Sequence, residues 1–212
     1  FQYHFSKFKS LTVNYSAGTN QPSISQLQPV PDNSNSLNIR TGNPDLKPEY
    51  NHTLQAQLNL VSPFRNKNLF WLFYLQTTQH KIVNADSIDA LGIKRTRPVN
   101  VNGVYNINSN IQYSFPLKAI KATIELSSAV NYNKGKQFVN GIVNHIKSLS
   151  AGPEIRIDMN PHRNINISAG TAYRYNQARY SLQAAFNTNY LQQEYNASFD
   201  WELPKRFYLS TD

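Results

Sequence analysis

The stretch Val99–Phe115, which reads VNVNGVYNINSNIQYSF, alternates between apolar and polar residues. Its odd positions carry mainly Val, Tyr, Ile and Phe, whereas its even positions are mostly Asn. Successive side chains of a β-strand point to opposite faces, so this period of two predicts a strand with one apolar and one wet face.

The same alternation recurs elsewhere, and only Leu69–Leu75 is apolar at consecutive positions. Strands of soluble proteins usually run about 5 to 6 residues, whereas tilted strands that cross a bilayer need about 9 to 11. The long patterned segments therefore predict an all-β membrane protein. These segments are Leu54–Leu60, Ala122–Tyr132, Leu149–Met159, Ile165–Tyr175 and Tyr195–Trp201.

Aromatic residues lie at both ends of the patterned segments. A separation of about ten residues along a strand tilted by about 40° spans roughly 25 Å, the height of the apolar band of an outer-membrane barrel. The spacing predicts two membrane girdles, with aromatic rings at headgroup level. The outer girdle would contain Tyr50, Tyr105, Tyr132 and Tyr175, and the inner one Phe64, Trp71, Phe115 and Trp201.

Short and long connections alternate along the chain. Short turns are expected near Ser62–Asn66, Pro116–Lys118, Asn160–Arg163 and Leu203–Lys205, and longer polar loops at Thr19–Pro48, His80–Pro98, Asn133–His145 and Asn176–Thr188. In an outer-membrane barrel the short connections are periplasmic and the long ones extracellular. We predict about eight strands and the start of a ninth, in up-and-down antiparallel order, within one domain over residues 1–212.

Charged residues alternate onto the polar face of the later strands. They could be mistaken for general acids and bases, but water-filled barrels also carry charge on the lumen side. We found no nucleophile elbow, phosphate-binding glycine loop or paired-histidine metal motif, so we expect neither an enzyme nor a bound metal or cofactor. The predicted lumen-lining residues are Glu125, Glu154, Arg156, Asp158, Arg174, Glu194 and Asp200.

The 212-residue chain has no cysteine and a net charge of +9. Such a charge first suggests nucleic acid or an anionic membrane as partner. The basic residues are scattered through predicted turns, as at Arg65–Lys67 and Lys134–Lys136, without a recognised nucleic-acid-binding module. We therefore expect contact with anionic lipid headgroups and no nucleic-acid binding.

The sharpest motif is TGNPDLKPEY, residues 41–50, which leads directly into a predicted strand. Gly42 and Asn43 tolerate left-handed backbone, while Pro44 and Pro48 fix their own φ angles and Pro48 pushes Lys47 toward extended geometry. Together with Leu46 and Glu49, these residues are expected to have a structural role.

This motif resembles a signature of TonB-dependent receptor barrels. Segments 22–35 and 98–103 are similar to the outer-membrane β-barrel family of Bacteroidetes. The resemblance implies an outer-membrane barrel of about 22 strands that imports a nutrient with energy from TonB. It also implies a plug domain and further strands, none of which can be matched here. We therefore expect the chain to form part of a larger barrel.

Two alternative functions remain open from the sequence. The first is a structural or secretory outer-membrane barrel without small-molecule import, and the second is a soluble all-β carbohydrate-binding module. The ligand of a receptor is also open, because long Asn-rich loops suit sugars, peptides and metal chelates equally.

Overall fold

A computed structural model describes residues 1–203 and 207–211. Ten strands form one continuous antiparallel sheet in chain order, which we call the wall. Each wall strand hydrogen-bonds to the next, as expected for an up-and-down barrel. The strands are β1 (Gln2–Ser6), β2 (Lys9–Asn20), β4 (Glu49–Ser62), β5 (Lys67–Gln79), β8 (Val104–Leu117), β9 (Ala122–Val139), β10 (Ile142–His162), β11 (Ile165–Tyr180), β12 (Thr188–Leu203) and β13 (Phe207–Thr211).

Tight turns join the wall strands at one end. Between β4 and β5 the chain makes one 3-10 turn, Pro63–Arg65, and reverses at Asn66, whose φ is 48°. Between β8 and β9 the 3-10 turn Lys118–Ile120 ends at Lys121, whose φ is 50°. These are two of the short connections that the sequence predicts, and Arg163 and Asn164 form a third between β10 and β11.

A smaller substructure, which we call the cap, comprises residues 21–48 and the hairpin 81–101. It contains the helix α1 (Ile24–Leu27) and the strands β3 (Asn38–Arg40), β6 (Lys81–Ile88) and β7 (Lys94–Val101). β6 pairs antiparallel with β7, which pairs parallel with β3, while β6 also makes a short parallel pairing with β9 of the wall. The cap is therefore hydrogen-bonded to the wall.

The all-β fold class is confirmed, but the predicted strand count was too low. The first twenty residues form two strands, and three further strands lie in the cap, giving thirteen. Val99 and Val101 belong to β7 and not to the long strand that the alternation predicted. Gly103, with a φ of 77°, breaks the pattern before β8 begins at Val104.

All four predicted long loops contain extended pairing, including β3 within Thr19–Pro48. His80–Pro98 is largely the β6–β7 hairpin, while Asn133–His145 is almost entirely β-structure closed by Asn140 and Gly141. The φ angles of 50° and 77° at those two positions fit a two-residue type I′ turn. Strand β11 also extends into the predicted loop Asn176–Thr188. At the predicted turn Leu203–Lys205, Pro204 and Lys205 lie outside the described residues.

The sheet has almost no conventional core. Among the described residues only Leu46, Val101 and Ala122 are buried hydrophobic residues, and many large apolar side chains of the wall are exposed. A soluble domain of this size would bury such side chains, whereas a lipid-facing wall exposes them to hydrocarbon. No helix in the described ranges is long and apolar enough to cross a membrane.

The strand register shows where the predicted outer-girdle tyrosines lie relative to one another. Traced along paired residues back to β4, Tyr105 is level with His52, Tyr132 with Leu54 and Tyr175 with Ala56. From Tyr50 on β4 to Tyr175 on β11, the position of the tyrosines shifts by six residues, counted along β4, over five strand-to-strand steps. If they share one height, the strands tilt by about 40°, which is typical of membrane barrels.

Candidate functional site: the cap and the polar face of the wall

One face of the wall is apolar across all ten strands. A representative row joins Leu58, Trp71, Ile111 and Ser128 through direct pairing on four neighbouring strands. The next rows add leucine, isoleucine, alanine, tyrosine and phenylalanine. The apolar positions predicted for single strands therefore lie opposite one another on neighbouring strands. This face is therefore the lipid-facing surface.

The predicted girdle residues do not all share a level. Phe115 on β8 and Trp201 on β12 are separated by four strand-to-strand steps. Traced along paired residues, their heights differ by four residues, so they follow nearly the same tilt as the tyrosines. Trp71 lies on the neighbouring strand, four residue levels from Phe115. It is therefore roughly 8 Å nearer the middle of the apolar band than a residue that follows the tilt of the tyrosines would be. Its indole N–H donates to Ser109 Oγ at 3.0 Å. Phe64 lies in a turn and is 98% exposed.

The opposite face is polar, and its two halves differ. On β9 to β12 it carries all seven residues that we predicted to line a lumen. Arg156 is paired with Glu125 in register and lies 3.1 Å from Asp158, which also accepts a hydrogen bond from Ser168 at 2.6 Å. Asp200 accepts from Ser210 at 2.7 Å. Glu154, Arg174 and Glu194 share this face, and lumen lining itself remains a prediction.

On β4, β5 and β8 the polar face is rich in amides and, apart from Glu49 at the start of β4, neutral. Asn106 donates to Asn133 across two strands, and Thr78 donates to Asn51 at 2.7 Å. These side chains provide both donors and acceptors without net charge. Phe70, Leu72 and Tyr74 of β5 lie on the same face, which explains why that strand is apolar at consecutive positions.

The first half of the motif fixes residues 21–48 to the β6–β7 hairpin. Asn43 is buried; its side-chain amide donates to the Pro98 carbonyl at 2.9 Å, and its Oδ1 accepts from Arg97 at 2.8 Å. A Cβ on Gly42 would lie 2.3 Å from the Gln28 carbonyl oxygen. The expectation of left-handed backbone at Gly42 and Asn43 was wrong, because neither residue has a positive φ. Gly42 is needed for close backbone packing.

Glu49 joins the cap to two wall strands. Its buried carboxylate lies 3.0 Å from Lys81 Nζ and accepts from the Ile82 backbone N–H at 2.8 Å and from Asn20 at 3.3 Å. Glu49 precedes Tyr50 and so lies outside the membrane-spanning part of β4. Burial opposes ionisation of Glu49, but the bonds from Ile82, Lys81 and Asn20 outweigh it and hold its pKa below the usual value.

The second half of the motif is held through its backbone. Lys47 donates its N–H to Asn100 Oδ1 at 2.8 Å, and Asn100 returns a bond to the Lys47 carbonyl at 2.9 Å. Leu46 is buried, whereas the side chains of Pro44, Lys47 and Pro48 are exposed. Sequence reasoning did not single out Asn100 or Lys81. The segment Pro98–Gly103 was nevertheless the part of the hairpin for which a family resemblance had been noted.

The cap borders a partly open cavity of about 510 Å³ beside Gly42. This volume lies within the range of about 300 to 1,000 Å³ that is usual for small-molecule sites. No group of three His, Asp or Glu side chains within residues 1–203 and 207–211 could hold a metal ion. The cavity is instead suited to hydrogen bonding, since its polar lining includes Gln26, Gln28, Asp32, Arg40, Asn84 and Thr96.

An antiparallel wall with an exposed apolar face and a wet opposite face defines a transmembrane β-barrel protein. The chain belongs to the outer membrane protein beta-barrel family, whose model matches residues 1–203. It is therefore a bacterial outer-membrane protein surrounded by membrane lipid, and the alternative of a soluble carbohydrate-binding module is wrong. No curated protein and no solved structure matches the chain.

Proposed function

We propose that the protein is an outer-membrane receptor that captures a polar nutrient in the cap and imports it with energy from TonB. The observation that carries this proposal is the 510 Å³ cavity, which is partly open, has both polar and apolar lining residues and is fixed to the wall through the Glu49 contacts. A cavity of this size can accommodate a small-molecule ligand.

The lining of the cavity indicates the chemical class of the ligand. Gln26, Gln28 and Asn84 offer amide donors and acceptors, and the charges of Asp32 and Arg40 balance each other. Such a lining favours a neutral or zwitterionic ligand that is rich in hydrogen-bonding groups. We therefore favour an oligosaccharide or a short peptide over an anionic metal chelate.

The neutral half of the polar face provides a route away from the cap. A groove of about 350 Å³ lies among Asn51, Gln76, Asn106 and Asn133. Its lining also includes Lys134, Lys136 and Lys81, which bonds to Glu49. The amide side chains of this groove can exchange hydrogen bonds with a sliding polar ligand. The charged half, from Glu125 to Asp200, would face a plug domain.

Further strands of the same barrel complete the proposal. Among the described residues, β1 and β13 each pair with a wall strand on one side only. The free backbone groups of their other edges would be unsatisfied in hydrocarbon, so a closed barrel must cover them. We propose that the additional strands and the plug belong to the same protein.

The test is uptake in the native host. Maltoheptaose, tetra-alanine and ferric citrate would each be supplied as the limiting nutrient to the wild type, a strain lacking this protein and a strain lacking TonB. We expect both deletions to abolish growth on the same one of the first two nutrients. Arg40→Ala with Asn84→Ala should weaken that uptake about tenfold, because two polar cavity contacts are lost. Arg95→Ala, outside that cavity, is the control.

The other outcomes identify the alternatives. Growth that depends on the protein but not on TonB would contradict energised import. If growth on every nutrient survives loss of the protein while secreted proteins or the cell envelope change, the structural or secretory barrel would replace the receptor. Equal outer-membrane amounts of the wild type and both variants must accompany the comparison.

A further inference from the structure

Three basic residues form a row on the apolar face of the wall. Lys147 of β10 is directly paired with Lys134 of β9 on one side and with Arg179 of β11 on the other. We call Lys134, Lys147 and Arg179 the basic row. Lys136 and His145 form the next pair on the same face, farther from the apolar band.

This arrangement needs a compensating negative charge. Like charges directly opposite each other on neighbouring strands destabilise a sheet. No residue of the basic row makes an ion pair with any other residue that the structure describes, and within residues 104–203 no carboxylate shares this face on β8 to β12. The six carboxylates of β9 to β12 all project to the opposite face. The cations therefore have no negative partner among these strands.

The basic row lies at the level of lipid headgroups. Lys134 lies two residues beyond Tyr132 on β9. Lys147 lies two residues beyond Leu149 on β10, and Leu149 pairs with Tyr132. Arg179 lies four residues beyond Tyr175 on β11. With the tilt derived above, these positions lie about 5 to 10 Å beyond the tyrosines, within the polar interfacial layer. Long basic side chains at this position can rest on the apolar band while their charged ends reach the headgroups.

Local contacts orient two of the three cations. Lys134 Nζ lies 5.1 Å from the centre of the Tyr105 ring. Arg179 Nη1 donates to Asn189 Oδ1 at 3.0 Å, which leaves its Nε and Nη2 for a ligand. Lys147, between them, is exposed. The row is thus a partly ordered set of donors on a surface that faces lipid.

We propose that Lys134, Lys147 and Arg179 bind the phosphate of a lipid headgroup at the tyrosine end of the wall. Phosphate is favoured because its oxygens can accept bonds from two lysines and one arginine at once, and its charge offsets their mutual repulsion. The lipid tails would lie along the apolar band below the row. The site thus selects a phosphorylated outer-membrane lipid at this rim.

The test measures lipid retention by the full-length protein. The protein would be purified in neutral detergent and titrated with lipid A, with lipid A stripped of its phosphates, and with inorganic phosphate, while native mass spectrometry counts bound molecules. Lys134→Gln with Lys147→Gln is compared with Lys67→Gln with Lys118→Gln, which removes equal charge at the opposite rim. Heat-modified mobility on gels verifies that each variant is folded.

We expect wild type and the control variant to retain lipid A equally, and the basic-row variant to bind it roughly 25-fold more weakly, about fivefold for each lost cation. Dephosphorylated lipid A should bind weakly to all three proteins. Equal binding of both lipids, or equal loss in the control variant, would overturn the proposal. Displacement of lipid A by millimolar inorganic phosphate would also overturn it, since it would identify a free-phosphate site.

Discussion

The wall and the cap reach stability in opposite ways. The wall is a repetitive hydrogen-bonded ladder whose large side chains are mostly on its surface, so its stability is spread over many equivalent pairs. The cap contains two of the three buried hydrophobic residues, Leu46 and Val101, and depends on a few side-chain bonds to the backbone. Single substitutions should therefore open the cap while the wall stays folded.

The largest expected effect is at Glu49, where the cap meets the wall. Glu49→Ala leaves the partly buried Ile82 N–H and Lys81 without their acceptor. We expect the cap to lose about 3 kcal/mol of local stability, a figure that discounts Lys81 because its side chain is 40% exposed. Hydrogen exchange at Ile82 should accelerate roughly a hundredfold, while the melting of the wall changes little.

Glu154→Ala is the matched control for Glu49→Ala, because it removes an exposed carboxylate from the polar face of the wall. Exchange at Ile82 should be unchanged in that variant. If Glu49→Ala melted cap and wall together, the two would be one cooperative unit and the contrast between them would fail.

A smaller effect is expected at Gly42. Gly42→Ala places a methyl group 2.3 Å from a backbone oxygen, so residues 21–48 must move. Overpacking of this kind costs about 2 kcal/mol. Limited proteolysis should cut within residues 21–48 much faster than in the wild type. Gly18→Ala in β2, where nothing lies within 4 Å of the new Cβ, should leave the pattern unchanged; equal cleavage in both variants would remove the close-packing explanation.

The contrast also explains what the sequence could predict. Alternation determines which face of each wall strand is apolar, because lipid requires it along the whole strand, so Ile107 and Tyr113 were correctly assigned. The cap has no such requirement: its pairing depends on Asn43 and Asn100, whose partners are more than fifty residues away. Asn140-Gly141 was a readable signal for a tight hairpin, but the polar residues around it suggested a loop.

Gly42 and the basic row show the same limit. A glycine in a motif indicates that a side chain is unsuitable, yet only the fold distinguishes positive φ from close packing, and here the second applies. Lys134, Lys147 and Arg179 are widely spaced in the chain, so their adjacency depends on the register of three strands. Alternation alone could not predict the register of neighbouring strands to within a few residues.

The smallest effect is expected within the wall, at Trp71. Trp71→Phe keeps an aromatic ring in the apolar band but removes the N–H donor to Ser109. Such bonds between polar groups in a membrane contribute about 1 kcal/mol. The gel shift that marks unfolding of the wall should occur at slightly lower temperature, with no change in exchange at Ile82. Combining it with Ser109→Ala completes a double-mutant cycle, and strictly additive losses would mean that the hydrogen bond contributes nothing to the wall.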